Sequence, residues 1–158
     1  MITDSALTLT TPTITTAATY NSADSIDLVS LRDLGEGHTI MALLTVTTAF
    51  ADGTSVDFQL WTADATSPGG TGSLTGGNFL MSVSGGAIAD ASLTAGVQRF
   101  VALPSRVVSN VQLGSRYQRH LILRAVTLGT HSAGAASVTL LLDNQDGRTS
   151  YPSGFTVA

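Results

Sequence analysis

One glutamate and no lysine in 158 residues leave this chain short of two strong helix formers. Thr, Ser, Val, Leu and Ala take their place, a mixture that fits pleated, half-buried strands. The hydrophobic pattern agrees. Ile40, Ala42, Leu44, Val46 and Phe50 fall on one face of a predicted strand over 38–50, with Thr39, Thr45 and Thr47 on the other. Met41 and Leu43 interrupt that polar face, so it is expected to be partly covered. Ala51-Asp52-Gly53-Thr54 follows. Asp-Gly tolerates positive φ, which predicts a tight hairpin with 56–63 as the return strand. Val56, Phe58 and Leu60 then point inward, and Asp57, Gln59 and Trp61 outward.

Glycines and Pro68 make 67–78 a loop. Phe79, Met81 and Val83 alternate on a short strand, Gly85-Gly86 turns the chain, and 97–103 is a strand stopped by Pro104. In the predicted strand 117–128, Leu121, Leu123 and Ala125 face the core while Arg116, His120 and Arg124 face outward. Val138, Leu140 and Leu142 line the last strong strand. About eight short strands separated by turn signals predict an all-β, two-sheet antiparallel sandwich or barrel. At roughly 150 residues per domain the chain is one domain, a sandwich over 21–158 whose last residues, 151–158, are a short tail. The Thr-rich residues 1–20 read as an extended N-terminal arm, an edge strand laid on another subunit, or a frayed terminus.

With 43% hydrophobic and 11% charged residues the chain is not disordered in character, and without cysteine it holds no disulfide or thiolate site. A mean hydropathy of +0.29 points to surface buried against other chains. The opening Met1-Ile2-Thr3-Asp4-Ser5 lacks a basic, then apolar, leader, and no run of about 20 apolar residues occurs, so no membrane partner is expected. The net charge of −4 disfavours nucleic acid.

The charges are unevenly placed. Residues 1–90 carry nine acids and one Arg, whereas 91–142 carry five Arg and no acid. The guanidinium fork pairs with carboxylates and sheds water more readily than an ammonium. Arg99, Arg106, Arg116, Arg119 and Arg124 are therefore interface candidates as a set, although any one of them could pair within the fold. Met41 and Leu43 join them as candidates, as does Trp61, which can hold a sugar ring, anchor a protein contact or lie under the 67–78 loop.

Catalytic and metal constellations are missing from the sequence pattern. The single Glu36 sits between glycines, and Asp57 has no second carboxyl nearby in sequence to make a glycosidase pair. His38, His120 and His131 have no Gly-x-Ser-x-Gly elbow to serve. Asp143-Asn144-Gln145-Asp146-Gly147 lacks the alternating ligands and closing Glu of a calcium loop. Gly69-Gly70-Thr71-Gly72 fails as a phosphate cradle at Thr75. No catalytic residue, metal ligand or cofactor is assigned, and no enzyme is expected.

Several patterns resemble the cement, or decoration, proteins of tailed-phage capsids, of the Bordetella-phage type. They are Asp33-Leu34-Gly35-Glu36-Gly37 before a long strand, and Phe58-Gln59-Leu60-Trp61-Thr62. Leu93-Thr94-Ala95-Gly96 then precedes Arg99-Phe100 and Leu103-Pro104. Arg116-Tyr117-Gln118-Arg119-His120-Leu121 and a late strand ending Leu142-Asp143 complete the series. The resemblance implies a jelly roll on the outer capsid surface of a virion, made in the host cytoplasm. Its partners would be the major capsid protein and itself, as a dimer or trimer, and it would bridge neighbouring shell subunits without enzymatic activity. The competing reading is a carbohydrate-binding or host-attachment module of a virion, with Trp61 as its platform.

Overall fold

The computed structural model describes residues 7–27, 40–74, 76–103 and 119–141. Their strands are β1 (Thr8–Thr10), β2 (Thr19–Asn21), β3 (Ile26–Asp27), β4 (Met41–Ala51) and β5 (Ser55–Ala63). Next come β6 (Asn78–Ser82), β7 (Ile88–Ala89), β8 (Gln98–Ala102), β9 (His120–Leu128) and β10 (Ala133–Leu141). One sheet runs β1-β10-β4-β8, and the other β2-β9-β5-β6, with β3 also on β9 and β7 also on β5. Every pairing is antiparallel.

Taking β2 with β3, and β6 with β7, as two broken strands leaves eight strand positions in two layers. The chain changes layer at every connection except β5 to β6, and its first and last strands lie side by side. This is a jelly roll, the eight-stranded sandwich of two Greek keys. The core is the interdigitated inner faces. Ala42, Leu44, Val46 and Phe50 of β4 meet Val56, Phe58 and Leu60 of β5, with Leu121, Leu123 and Ala125 of β9 and Val138 and Leu140 of β10. These are the inward positions that the period-two pattern predicts, apart from Leu142, which lies outside the described residues.

Three expectations are corrected. Asp52 does take positive φ, at 66°. However, β4 and β5 lie in opposite sheets, so Ala51-Asp52-Gly53-Thr54 is an arch over the end of the sandwich and not a hairpin. A second arch, 129–132, joins β9 to β10 beside it. Thr54 N–H donates to the Leu128 carbonyl at 2.8 Å, Ser132 N–H to the Ala51 carbonyl at 3.0 Å, and the Ser132 hydroxyl to Asp52. Two adjacent arches satisfy each other's backbone, which a lone arch could not do.

The second correction concerns the N-terminal arm. Residues 7–21 are built into both layers of their own chain: β1 pairs with β10, β2 pairs with β9, and Leu9 and Ile14 are wholly buried. Thr11 exchanges hydrogen bonds with Ala136, its hydroxyl accepting the Ala136 N–H at 3.0 Å. Residues 1–6 lie outside the described set.

The third concerns Phe79. A β-bulge in the β5–β6 ladder sets Leu60 opposite Met81 but Trp61 opposite Phe79. Leu80 and Met81 both pack against the core, and Phe79 moves to the outer face, off the side that Met81 and Val83 share.

Candidate functional site

The outer face of the β2-β9-β5-β6 sheet collects the outward side chains of β5, as the alternation predicts. Asp57, Gln59 and Trp61 stand two residues apart and are joined along the strand. The Trp61 indole N–H donates to Gln59 Oε1 at 2.8 Å, and Gln59 Nε2 donates to Asp57 Oδ2 at 2.6 Å. Asp57 Oδ1 accepts from the Ser82 and Ser84 hydroxyls at 2.6 and 2.8 Å. Ser84 in turn accepts the Phe58 N–H at 2.9 Å. Asp57 thus ties β5 to the β6–β7 connection, a structural use for a carboxylate that has no second acid beside it.

Gln59 faces Arg124 across the β5–β9 ladder, and the Arg124 guanidinium lies over the Trp61 ring, 4.3 Å from its centroid. That distance is well inside cation–π range. Burial holds the Arg124 pKa below its ordinary value. Its Nε is buried without a hydrogen-bond partner. Phe79 meets Trp61 edge-on, centroids 5.9 Å apart, and is itself 55% exposed. Residues 67–72 reach the far edge of this sheet. Asn21 on the far edge donates to the Gly72 carbonyl at 2.5 Å, and the Ser67 hydroxyl donates to the Ser22 carbonyl at 2.6 Å. Trp61 is consequently half-buried, with a cation over its ring, an aromatic edge beside it and its N–H already used.

The other arginine candidates are dispersed. Arg119 grips Asp27 with its fork, Nε to Oδ1 at 3.1 Å and Nη2 to Oδ2 at 2.5 Å. The hydrogen bonds to Asp27, then its charge, raise the Arg119 pKa. Both groups are exposed enough for this pair to add little stability. Arg99, on edge strand β8, donates from Nη1 to the Ser84 carbonyl at 2.9 Å and so links the two sheets along one side. Arg106 and Arg116 lie outside the described residues. Met41 and Leu43 occupy the outer face of the other sheet, where Leu43 is 4% exposed although it is not part of the core cluster. Thr139 and Phe100 flank it across the ladders. Its coverage agrees with the interrupted polar face seen in sequence.

Two groupings escape the sequence pattern. One is Phe79 with Arg124 around Trp61, which depends on the bulge and on strands 60 residues apart. The other is a closed polar clamp under the arches. His131, wholly buried, approaches Asp90 Oδ1 with Nε2 at 3.1 Å, while Asp90 Oδ2 accepts the Gly53 N–H at 2.9 Å. A carboxylate only accepts, so Nε2 carries the hydrogen. Phe50 stacks edge-on against the imidazole at 5.8 Å. The clamp is buried, and sequence spacing offers no signal for it. A third titrating group, Tyr20, is structural too. Burial raises its pKa, but the hydrogen bonds of Thr16 and Thr15 outweigh that and leave it lowered. Among the described residues no three His, Asp or Glu side chains are grouped to hold a metal ion.

A family model described as Bbp16 matches residues 10–140. The match fits a Bordetella phage protein family and, with it, a phage virion protein. No curated protein matches the chain.

Proposed function

Because this chain belongs to the Bbp16 family, we propose that it is a structural virion protein that cements the capsid. It binds the outer face of an assembled phage shell and bridges neighbouring major capsid proteins, itself associating as a dimer or trimer. Family membership supports the virion part of this reading, and the structural use made of the polar residues is compatible with the rest. Asp57 and Asp90 hold strands and arches together, and the Trp61 ring is already engaged by Arg124. On this reading the molecule's task is adhesion. A protein that must recognise a shell and not its free subunit does so by touching several subunits at once, so that weak contacts act together. A rigid two-layer body with four sheet edges is suited to that task.

The host-attachment reading places a sugar on Trp61, and Arg124 already lies over one face of that ring. Shells prepared without this protein provide the test. Adding it should raise the temperature at which they rupture, with saturation at a fixed number of copies per shell. Failure to sediment with shells under any salt condition would remove the cement reading.

A further inference from the structure

On the outer face of the β2-β9-β5-β6 sheet Arg124 meets no carboxylate among the described residues. Arg124 is partly desolvated and has an unpaired, buried Nε. Arg119 pairs with Asp27, and Asp90 is hydrogen-bonded to His131 and the Gly53 N–H, so neither carboxylate serves Arg124. The nearest acid on its face by ladder position, Asp57, is turned to Ser82, Ser84 and Gln59. A guanidinium has five N–H donors in a fixed fork that matches a carboxylate, and one taken partly out of water gains most from such a partner. Trp61 fixes the fork from one side by its ring.

Across Trp61 from this cation, on the neighbouring strand, stands an exposed apolar group. Phe79, on edge strand β6, is 55% exposed and touches the chain through the Trp61 edge. Exposed aromatics around a positioned Arg are the composition of energetically dominant interface centres. One face of the Trp61 ring is taken by Arg124 and its indole N–H by Gln59, which leaves less of it for a sugar. A protein carboxylate would take guanidinium N–H groups of the half-buried Arg124 other than its buried Nε, with an apolar neighbour for Phe79.

We propose that Arg124, Trp61 and Phe79 form a docking surface for an acidic protein segment, with Arg124 receiving a carboxylate and Phe79 an adjacent apolar side chain. The proposal rests on the cement reading in one respect, namely that the acidic segment belongs to the shell. The charge complementarity itself comes from this face alone.

The experiment compares wild type, Phe79→Ala and Arg124→Gln for binding to shells lacking the protein, across a range of salt concentrations. Thermal unfolding of each variant is measured first. Phe79 is exposed, so Phe79→Ala keeps the test decisive if Arg124→Gln is poorly folded. Wild type should bind, and each folded variant should bind about tenfold or more weakly. Salt should weaken wild type more steeply than Arg124→Gln, because only wild type retains the charge pair. Wild-type binding with undiminished affinity in a folded variant overturns this surface and leaves the cement reading in place. No wild-type binding overturns both. Competition of wild-type binding by bacterial surface glycans would assign the face to sugar and contradict the proposal.

Discussion

Gly53 lies so close to His131 that a β-carbon there would sit 2.2 Å from the imidazole Nε2. That ring is wholly buried between Phe50 and Asp90 and has nowhere to retreat. Gly53→Ala is expected to cost about 1–3 kcal/mol, as overpacking does, read as a lower denaturant midpoint. Asp90→Ala removes two hydrogen bonds at once and leaves His131 and the Gly53 N–H without an acceptor. Its expected cost is about 1–3 kcal/mol for each orphaned group, and urea unfolding measures it. The Asp57→Asn replacement probes the second network. An amide can present a nitrogen where two serine hydroxyls and a glutamine amide now donate, so the β5–β6 link should loosen. Faster amide exchange at Phe58 and Val83 would register that loosening, since Phe58 N–H bonds Ser84 and Val83 N–H bonds the Phe58 carbonyl.

At the scale of elements, β1 decides whether the first residues are an appendage or part of the body. Its three residues place one side chain, Leu9, wholly inside the core. Leu9→Ala should destabilise by about 2–5 kcal/mol, and a truncation removing 1–11 should cost at least as much. Wild-type thermal stability in the truncated protein would show that β1 is dispensable. Sequence alone could not settle this, because a three-residue strand is too short to display a period and its neighbours are threonines. The long strands were legible for the opposite reason. β4, β5, β9 and β10 each bury one face, so alternation at Ala42–Val46, Val56–Leu60, Leu121–Ala125 and Val138–Leu140 reports their orientation directly. Asp52-Gly53 was legible as a turn but not as an arch. Positive φ at Asp52 serves either geometry, and the choice between them lies in partners far along the chain, such as Ser55 with Leu128 and Ala51 with Ala133. The site was half legible. Trp61, Gln59 and Asp57 could be placed outward by parity, whereas the cation over the indole comes from β9 and the exposed phenylalanine from a bulge. Neither leaves a mark in local spacing.

For the whole molecule, the jelly roll explains how a chain with so few charges can remain ordered. Among the described residues Arg99 lies on an edge, Asp52 and Asp90 serve the arches and Asp57 and Arg124 one outer face, while two apolar layers close on each other. Among the described residues each layer has two edge strands, and β6 and β8 carry exposed aromatics, Phe79 and Phe100. Those are features of a body that adheres to others. The most direct measurement is a reconstruction of phage particles with and without this protein at a resolution that shows strands. The account predicts two-layered density on the outside of the shell, spanning adjacent major capsid subunits and vanishing when the protein is omitted. Density for this fold in the tail, inside the shell, or nowhere in the particle would contradict it.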